Sequence, residues 1–299
     1  MRLLSILLII IVNYNVENLF HPAHDSLKDD IEWTQEGERR WSYTRYYRKV
    51  ENIARVLTNI GEWEGVDVVG LQEVENALCV KRLCYTLRRK EYDFVHYDSP
   101  DRRGIDVAFV YKKSRVDTLR TRAIRVDLGA ETTRDILYVN ALIDKRDSLH
   151  FFVCHLPSQR GGKAESEWKR ERAKHVLQEA VDSVLTVCPN AQIVVMGDMN
   201  SEPKDDLKGL SNRMMDEGVR VTGYGTHKYQ GRWTCLDQFY TTHNLDSVSQ
   251  VRIYDAEWIQ ETDEKYLGLK PKRTYNGYHY RNGFSDHLPI VMDVKLLNR

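Results

Sequence analysis

Ser285-Asp286-His287-Leu288-Pro289 stands immediately before the strand-like run Ile290-Val291-Met292-Asp293-Val294. A histidine at the mouth of a strand can carry a proton, and a neighbouring carboxylate can fix its tautomer. On the residues alone, Asp286 is the adjacent candidate for that partner. Five further polar clusters also close apolar runs: Asn15-Val16-Glu17-Asn18, Gln72-Glu73, His155 before Leu156-Pro157, Gly197-Asp198-Met199-Asn200, and Asp237 after Leu236. Taken singly, each fits an ordinary cap or turn residue. Six clusters at the ends of six strand-like segments predict one site assembled from across the fold.

Glu73, Asp198, Asn200, Asp237, Asp286 and Asn15 offer oxygen donors, with only His155 and His287 among the clusters. Hard oxygen ligands suit Mg²⁺ or Mn²⁺, with Ca²⁺ a further option, whereas zinc would want more His or Cys. Magnesium is usually held by one or two carboxylates plus substrate phosphate, so the donor set points to phosphoester hydrolysis. Charge gained by the phosphate oxygens could be neutralised by the metal, His155 and asparagine amides. The base for an attacking water could be Asp198 or the Asp286–His287 pair.

These residues need strands to deliver them and helices to cover the strands. Ile9 to Asn15 is a buried-strand pattern, and 66–71 a second, which carries Glu73 at its end. Apolar residues recur at helical spacing from Tyr46 to Ile60, from Ala77 to Leu87, and after Glu165 on a stripe that begins at Trp168. Strands are predicted over 94–97, 105–111, 136–143, 150–154, 193–196, 234–241, 251–254 and 288–296. Residues 21–42 form a long loop, and 201–232 surface connections with one short helix. The expected class is α/β, as a single domain over residues 9–299.

Composition limits the partners. The chain of 299 residues is 41% hydrophobic and carries 44 basic and 44 acidic residues. It can bury a sizeable core, and no global positive field holds it to nucleic acid. Five scattered cysteines make neither a disulfide framework nor a zinc motif. The apolar stretch 3–12 is too short to span a bilayer as a helix, so no transmembrane span is expected. Residues 1–8 are an apolar lead-in or remnant signal, dispensable for catalysis. The compartment is cytoplasmic, or exported if that stretch acts as a signal. A monomer without an obligate protein partner is expected.

The ordered set Tyr14-Asn15-Val16-Glu17-Asn18-Leu19-Phe20, Leu71-Gln72-Glu73-Val74-Glu75-Asn76, Arg103-Gly104-Ile105-Asp106-Val107-Ala108, His155-Leu156-Pro157-Ser158, Gly197-Asp198-Met199-Asn200 and Ser285-Asp286-His287-Leu288-Pro289 resembles the endonuclease/exonuclease/phosphatase superfamily, in forms most like bacterial members. That superfamily includes deoxyribonuclease I, abasic-site endonucleases, sphingomyelinases and inositol polyphosphate 5-phosphatases. The resemblance implies a four-layer sandwich, two facing mixed β-sheets flanked by helices. It implies Glu73 as principal metal ligand, supported by Asn15 and Glu17, with Asp286 also near the metal. Asp198 and Asn200 would activate water and contact phosphate. His287 takes the catalytic histidine position, and Asp237 replaces Asp286 as the carboxylate that orients it. His155 matches the position that binds phosphate or assists the leaving group. The expected substrate is a phosphodiester of DNA or RNA; the alternative is a small-molecule or lipid phosphoester. A catalytically dead binding module is disfavoured by retention of every candidate position.

Overall fold

The run Ile193 to Met196 has no polar side because both of its faces are buried. In the computed structural model, which describes residues 6–297 apart from 89, 160–161, 217–224 and 247, these residues lie in β8 (Gln192–Asp198). Ile193 and Val195 pack outward beneath a helix, while Val194 and Met196 join the core between two sheets. The neighbouring β7 (Asp147–His155) repeats the division, with Phe152 and Cys154 on one side and Phe151 and Val153 on the other. A period of two thus feeds two cores from one strand.

The first sheet is built from β1 (Ile6–Leu19), β2 (Val68–Val74), β3 (Tyr92–His96), β4 (Asp106–Lys112), β13 (Ser249–Ile253) and β18 (Ile290–Leu297), in the order β13-β18-β1-β2-β4-β3. The second contains β5 (Val116–Ile124), β6 (Ile136–Ile143), β7, β8, β9 (Ser211–Asn212) and β12 (Asp237–Thr241), in the order β5-β6-β7-β8-β12-β9. Parallel pairs β1–β2 and β7–β8 sit among antiparallel ones, so both sheets are mixed. The sheets face each other. Helices α1 (Tyr43–Gly61) and α2 (Ala77–Arg88) cover the first, and α3 (Lys163–Val187) covers the second. This is the four-layer sandwich expected from the resemblance. Among the described residues no helix is long and apolar enough to cross a membrane. No disulfide joins the five cysteines among the described residues, and Cys79 and Cys84 are buried on α2.

Three small ribbons decorate the strand ends: β10 (His227–Tyr229) with β11 (Arg232–Thr234), β14 (Gln260–Thr262) with β15 (Leu269–Pro271), and β16 (Tyr275–Asn276) with β17 (His279–Tyr280). Sequence patterning gives no sign of β10, of the last two ribbons or of β5. Edge strand β5 exposes most of its polar residues, so it has no apolar face to announce it. The predicted 234–241 strand is broken at Cys235-Leu236 into β11 and β12. Trp168, placed on the apolar stripe of α3 by spacing, is 49% exposed and belongs to neither core. The short helix expected within 201–232 is represented by a 3-10 turn at Arg213–Met215, residues 217–224 lying outside the described residues.

The lead-in boundary also shifts. Met1 to Ser5 lie outside the described residues, but Ile6, Leu7 and Leu8 already pair with Leu297, Leu296 and Lys295. The Leu8 carbonyl further accepts from Arg115 Nη1 at 2.9 Å. Deleting Arg2 through Leu8 therefore removes three rungs of the ladder. We expect a melting temperature about 2–5 °C lower, from backbone bonds worth about 1 kcal/mol each, with turnover within about twofold. Calorimetry and a rate assay check this; a truncation that melts with the full chain would show these rungs hold nothing.

Candidate active site

Three site residues come from one row of the second sheet. His155 pairs in register with Asp198 across β7–β8, and Asp198 with Asp237 across β8–β12. Gly197, one step before Asp198, is required by closeness: a Cβ there would lie 2.1 Å from the Cys154 carbonyl oxygen. The first sheet supplies the opposite wall. Asn15, Glu17 and Asn18 close β1, Glu73 closes β2, and Asp286 and His287 precede β18.

The strands are irregular where they deliver these groups. Register shifts occur between Asn15 and Leu19 on β1 and between Gln72 and Val74 on β2. Glu17, Asn18, Glu73 and Asn200 adopt φ of 54°, 55°, 64° and 48°. Left-handed backbone at non-glycine residues costs on the order of 1 kcal/mol each and is retained where the surroundings enforce it. Bulges of this kind re-aim side chains. Here they turn Glu73 Oε2 onto the Asn18 amide at 2.9 Å, while Oε1 accepts no hydrogen bond among the described residues.

His287 is held on two sides. Its Nδ1 lies 2.7 Å from Asp237 Oδ2, and its amide donates to Ser285 Oγ, which in turn donates to the Asn15 carbonyl at 2.7 Å. The Nε2 atom faces Asp198 Oδ2 at 3.9 Å and Asp286 Oδ1 at 4.0 Å. Burial opposes charge on this ring, yet Asp237, then Asp198 and Asp286, hold its pKa well above the ordinary imidazole value. The carboxylate bonded to His287 is thus Asp237; Asp286, adjacent in sequence, instead forms an ion pair with Arg273 Nη2.

Asp198 is buried, and burial pushes its pKa up to about 6 against the pull of His287. Its Oδ1 accepts the Asn200 amide at 2.8 Å and its Oδ2 the Asn15 amide nitrogen at 3.0 Å. Asn200 Nδ2 is committed to the Leu156 carbonyl at 2.9 Å. His155 Nε2 lies 3.7 Å from Asp198 Oδ2 and 4.0 Å from Glu73 Oε1. Burial, then Arg134, Arg103 and His287, drive the His155 pKa well down, leaving a neutral ring. Arg134 fixes that segment by donating to the His155 and Leu156 carbonyls while pairing with Asp101 at 3.1 Å.

Four contributors carry no signal in the sequence. Lys49, buried on α1, donates to Thr274 Oγ1 and the Phe284 carbonyl and lies 3.6 Å from Glu17 Oε2. Arg273 bridges Glu17 and Asp286. His227, on β10, lays its ring 4.9 Å from that of His287, and burial followed by His287 lowers its pKa to about 4. Arg39 lies flat over Trp33 at 4.4 Å and lines the cleft with Arg103 and Arg273. The enclosed space is about 370 Å³.

The donor set fits a hard divalent ion. Glu73 offers an unengaged carboxylate oxygen, and Asn15 Oδ1 keeps a lone pair after accepting the Glu17 amide. Ligand atoms of His227, Asp286 and His287 also fall within 4.8 Å of one another. Glu17 and Asp286 are already charge-compensated by Lys49 and Arg273, which suits them to support a metal from the side. All nine residues singled out from the sequence line this cleft or bond directly to residues that do.

A sequence model of the Endonuclease/Exonuclease/phosphatase family matches residues 10–296. Curated protein sequences give no match. Among solved structures, truncated Caenorhabditis elegans TDP2 is similar at a TM-score of 0.62 and 15% identity, over 97% of this chain and 98% of that one. A Bacteroides thetaiotaomicron mannosyl-6-phosphatase is similar at 0.62 and 15%, over 97% and 100%. The human Nocturnin catalytic domain with bound sulfate is similar at 0.58 and 16%, over 97% and 95%.

If Asp237 and His287 act as a unit, His287→Ala should lower turnover about 10²–10⁴-fold, the usual contribution of a positioned acid–base group. Asp237→Asn should cost less, and the double variant little more than His287→Ala alone. His287→Gln, which keeps a donor for Asp237, separates catalytic loss from the cost of an unpaired buried carboxylate. Rates and melting curves of these four variants and of the unsubstituted protein check the pairing; fully additive losses would break it.

Proposed function

This chain belongs to the endonuclease/exonuclease/phosphatase family, whose enzymes cleave phosphoesters with a divalent metal, and we propose that it hydrolyses a phosphodiester of DNA or RNA with Mg²⁺ or Mn²⁺. The observation that carries the reading is the convergence of His287 and His155 on buried Asp198, with Glu73 Oε1 4.0 Å from His155. Glu73 would be the principal ligand, with Asn15, Glu17 and Asp286 in support. The ion would supply a Lewis acid for a phosphate oxygen.

The chain's own groups would do the rest. Asp198, raised toward neutral pH by burial, accepts the proton of the attacking water. Charged His287, oriented by Asp237, directs Nε2–H toward oxygens that gain charge. Neutral His155 can donate from Nε2 to the phosphate or the leaving group. Asn200 and Asn15 fix Asp198 rather than titrate. Arg39, Arg103 and Arg273 give the cleft a cationic rim for flanking phosphate, as nucleic-acid backbone requires.

A second reading, hydrolysis of a small-molecule or lipid phosphoester, is favoured by the balance of 44 basic and 44 acidic residues and by the confined cleft. The mannosyl-6-phosphatase among similar structures is compatible with it.

Assays of plasmid DNA, RNA, bis-p-nitrophenyl phosphate, sphingomyelin and sugar phosphates, each with Mg²⁺ or chelator, decide between the readings. We expect metal-dependent cleavage of a nucleic acid, and loss of most metal affinity and turnover in Glu73→Gln with a nearly unchanged apo melting curve. Full activity in excess chelator, or an undiminished Glu73→Gln enzyme, would overturn the metal assignment. Turnover confined to the small or lipid esters would establish the second reading.

A further inference from the structure

Away from the cleft, at the edge of the first sheet, His96 closes β3 and Asp106 opens β4. In the antiparallel register His96 pairs with Ala108, so Asp106 lies two residues along on the same face. Both side chains are almost wholly buried, at 2% and 1% exposure. His96 Nε2 and Asp106 Oδ2 face each other at 3.7 Å, and each is buried without a hydrogen-bond partner. That distance is too long for a hydrogen bond, and orphaned buried polar atoms are costly. Asp98, 77% exposed, stands at the mouth with Oδ1 3.8 Å from His96 Nδ1.

We propose that His96, Asp98 and Asp106 form a second divalent-cation site, suited to zinc and independent of the catalytic metal. Their ligand atoms lie within 4.8 Å of one another. Tetrahedral zinc with ligands at 2.0–2.2 Å sets them roughly 3.4 Å apart, a few tenths of an ångström from the spacing across His96 and Asp106. One imidazole with two carboxylates and a remaining position for water favours zinc over magnesium, which prefers oxygen alone. The ion would satisfy both orphaned atoms, and exposed Asp98 provides the way in.

The site also has something to hold. Asp106 Oδ1 accepts from the Ser99 amide at 3.1 Å and from Ser99 Oγ, which pins the start of the 97–105 loop. That loop carries Asp101 to Arg134 and Arg103 to the rim of the catalytic cleft. A bound cation would therefore fasten the loop from behind.

Zinc titration of the full chain, followed by calorimetry and by thermal shift, tests the site. We expect His96→Gln and Asp106→Asn each to lose one zinc equivalent or at least tenfold in affinity, while Glu73→Gln retains that equivalent. Zinc in 100-fold excess over Kd should raise the wild-type melting temperature on the order of 5 °C, and not that of His96→Gln. Cobalt should give the visible absorption of tetrahedral coordination, lost in the same variants. Asp98→Asn alters only an exposed side chain and should weaken zinc severalfold, which keeps the test open if a buried variant melts early. Unchanged zinc binding in His96→Gln and Asp98→Asn, or loss confined to Glu73→Gln, would overturn the proposal.

Discussion

The hydrogen bond between Asp237 and His287 is the contact on which the site depends. It joins the second sheet to the segment that enters the last strand of the first, and it does so with both groups buried. Inside the protein such a pair is held by charge attraction that water would screen, and removing one member leaves the other unpaired. The register of the second sheet makes the bond possible, because Asp237 stands opposite Asp198 and Asp198 beside His155. A slip of one residue in either pairing would turn its strand's contribution to the other face. The bridge between His227 and His287 fixes the same segment through the backbone. Position is thus secured by strand register, and protonation by three carboxylates around one imidazole.

Charge balance explains the choice of neighbours. Glu17, buried, and Asp286, half-buried, repel each other and line the same cleft as Glu73. Lys49 and Arg273 offset them from below and from the side, with the Thr274 amide completing the acceptor demand of Glu17 at 2.6 Å. Paired carboxylates stay ionised where lone ones would take up protons. Glu73 lies outside that network, and its Oε1 accepts no hydrogen bond among the described residues. The site therefore has two acidic populations: one bound to internal cations, the other open to the cleft.

What the sequence made legible follows physical rules. Asn15, Glu73, His155, Asp198 and Asp286 each close or adjoin a run with strand periodicity, so their convergence could be expected from strand ends alone. Helices α1 and α2 were equally plain from spacing. Lys49 was not, because on an amphipathic helix it looks like any surface lysine, and its partners are 225 and 235 residues away. His227 lies in a short ribbon and Arg273 in the link between two others, with no apolar alternation to mark either. Nor could adjacency reveal which carboxylate serves His287: Asp286 is one residue away, yet the bond goes to Asp237, 50 residues earlier. The resemblance to known enzymes supplied that assignment. Spacing placed Trp168 on a buried face because periodicity locates a face but does not say how far the covering sheet extends.

The position of β18 between β13 and β1 has a consequence for biosynthesis. Strand β1 opens with the apolar run 6–12, and the edge of that run facing β18 stays open until residues 290–297 emerge. At ordinary elongation rates of 5–20 residues per second, that interval lasts roughly 15 s to 1 min. During it an unpaired, Ile-rich edge offers a template for pairing with other nascent chains. Closure also waits on contacts between distant parts of the sequence, which slows the final step. That edge of β1 is accordingly protected only once its partner strand has been made.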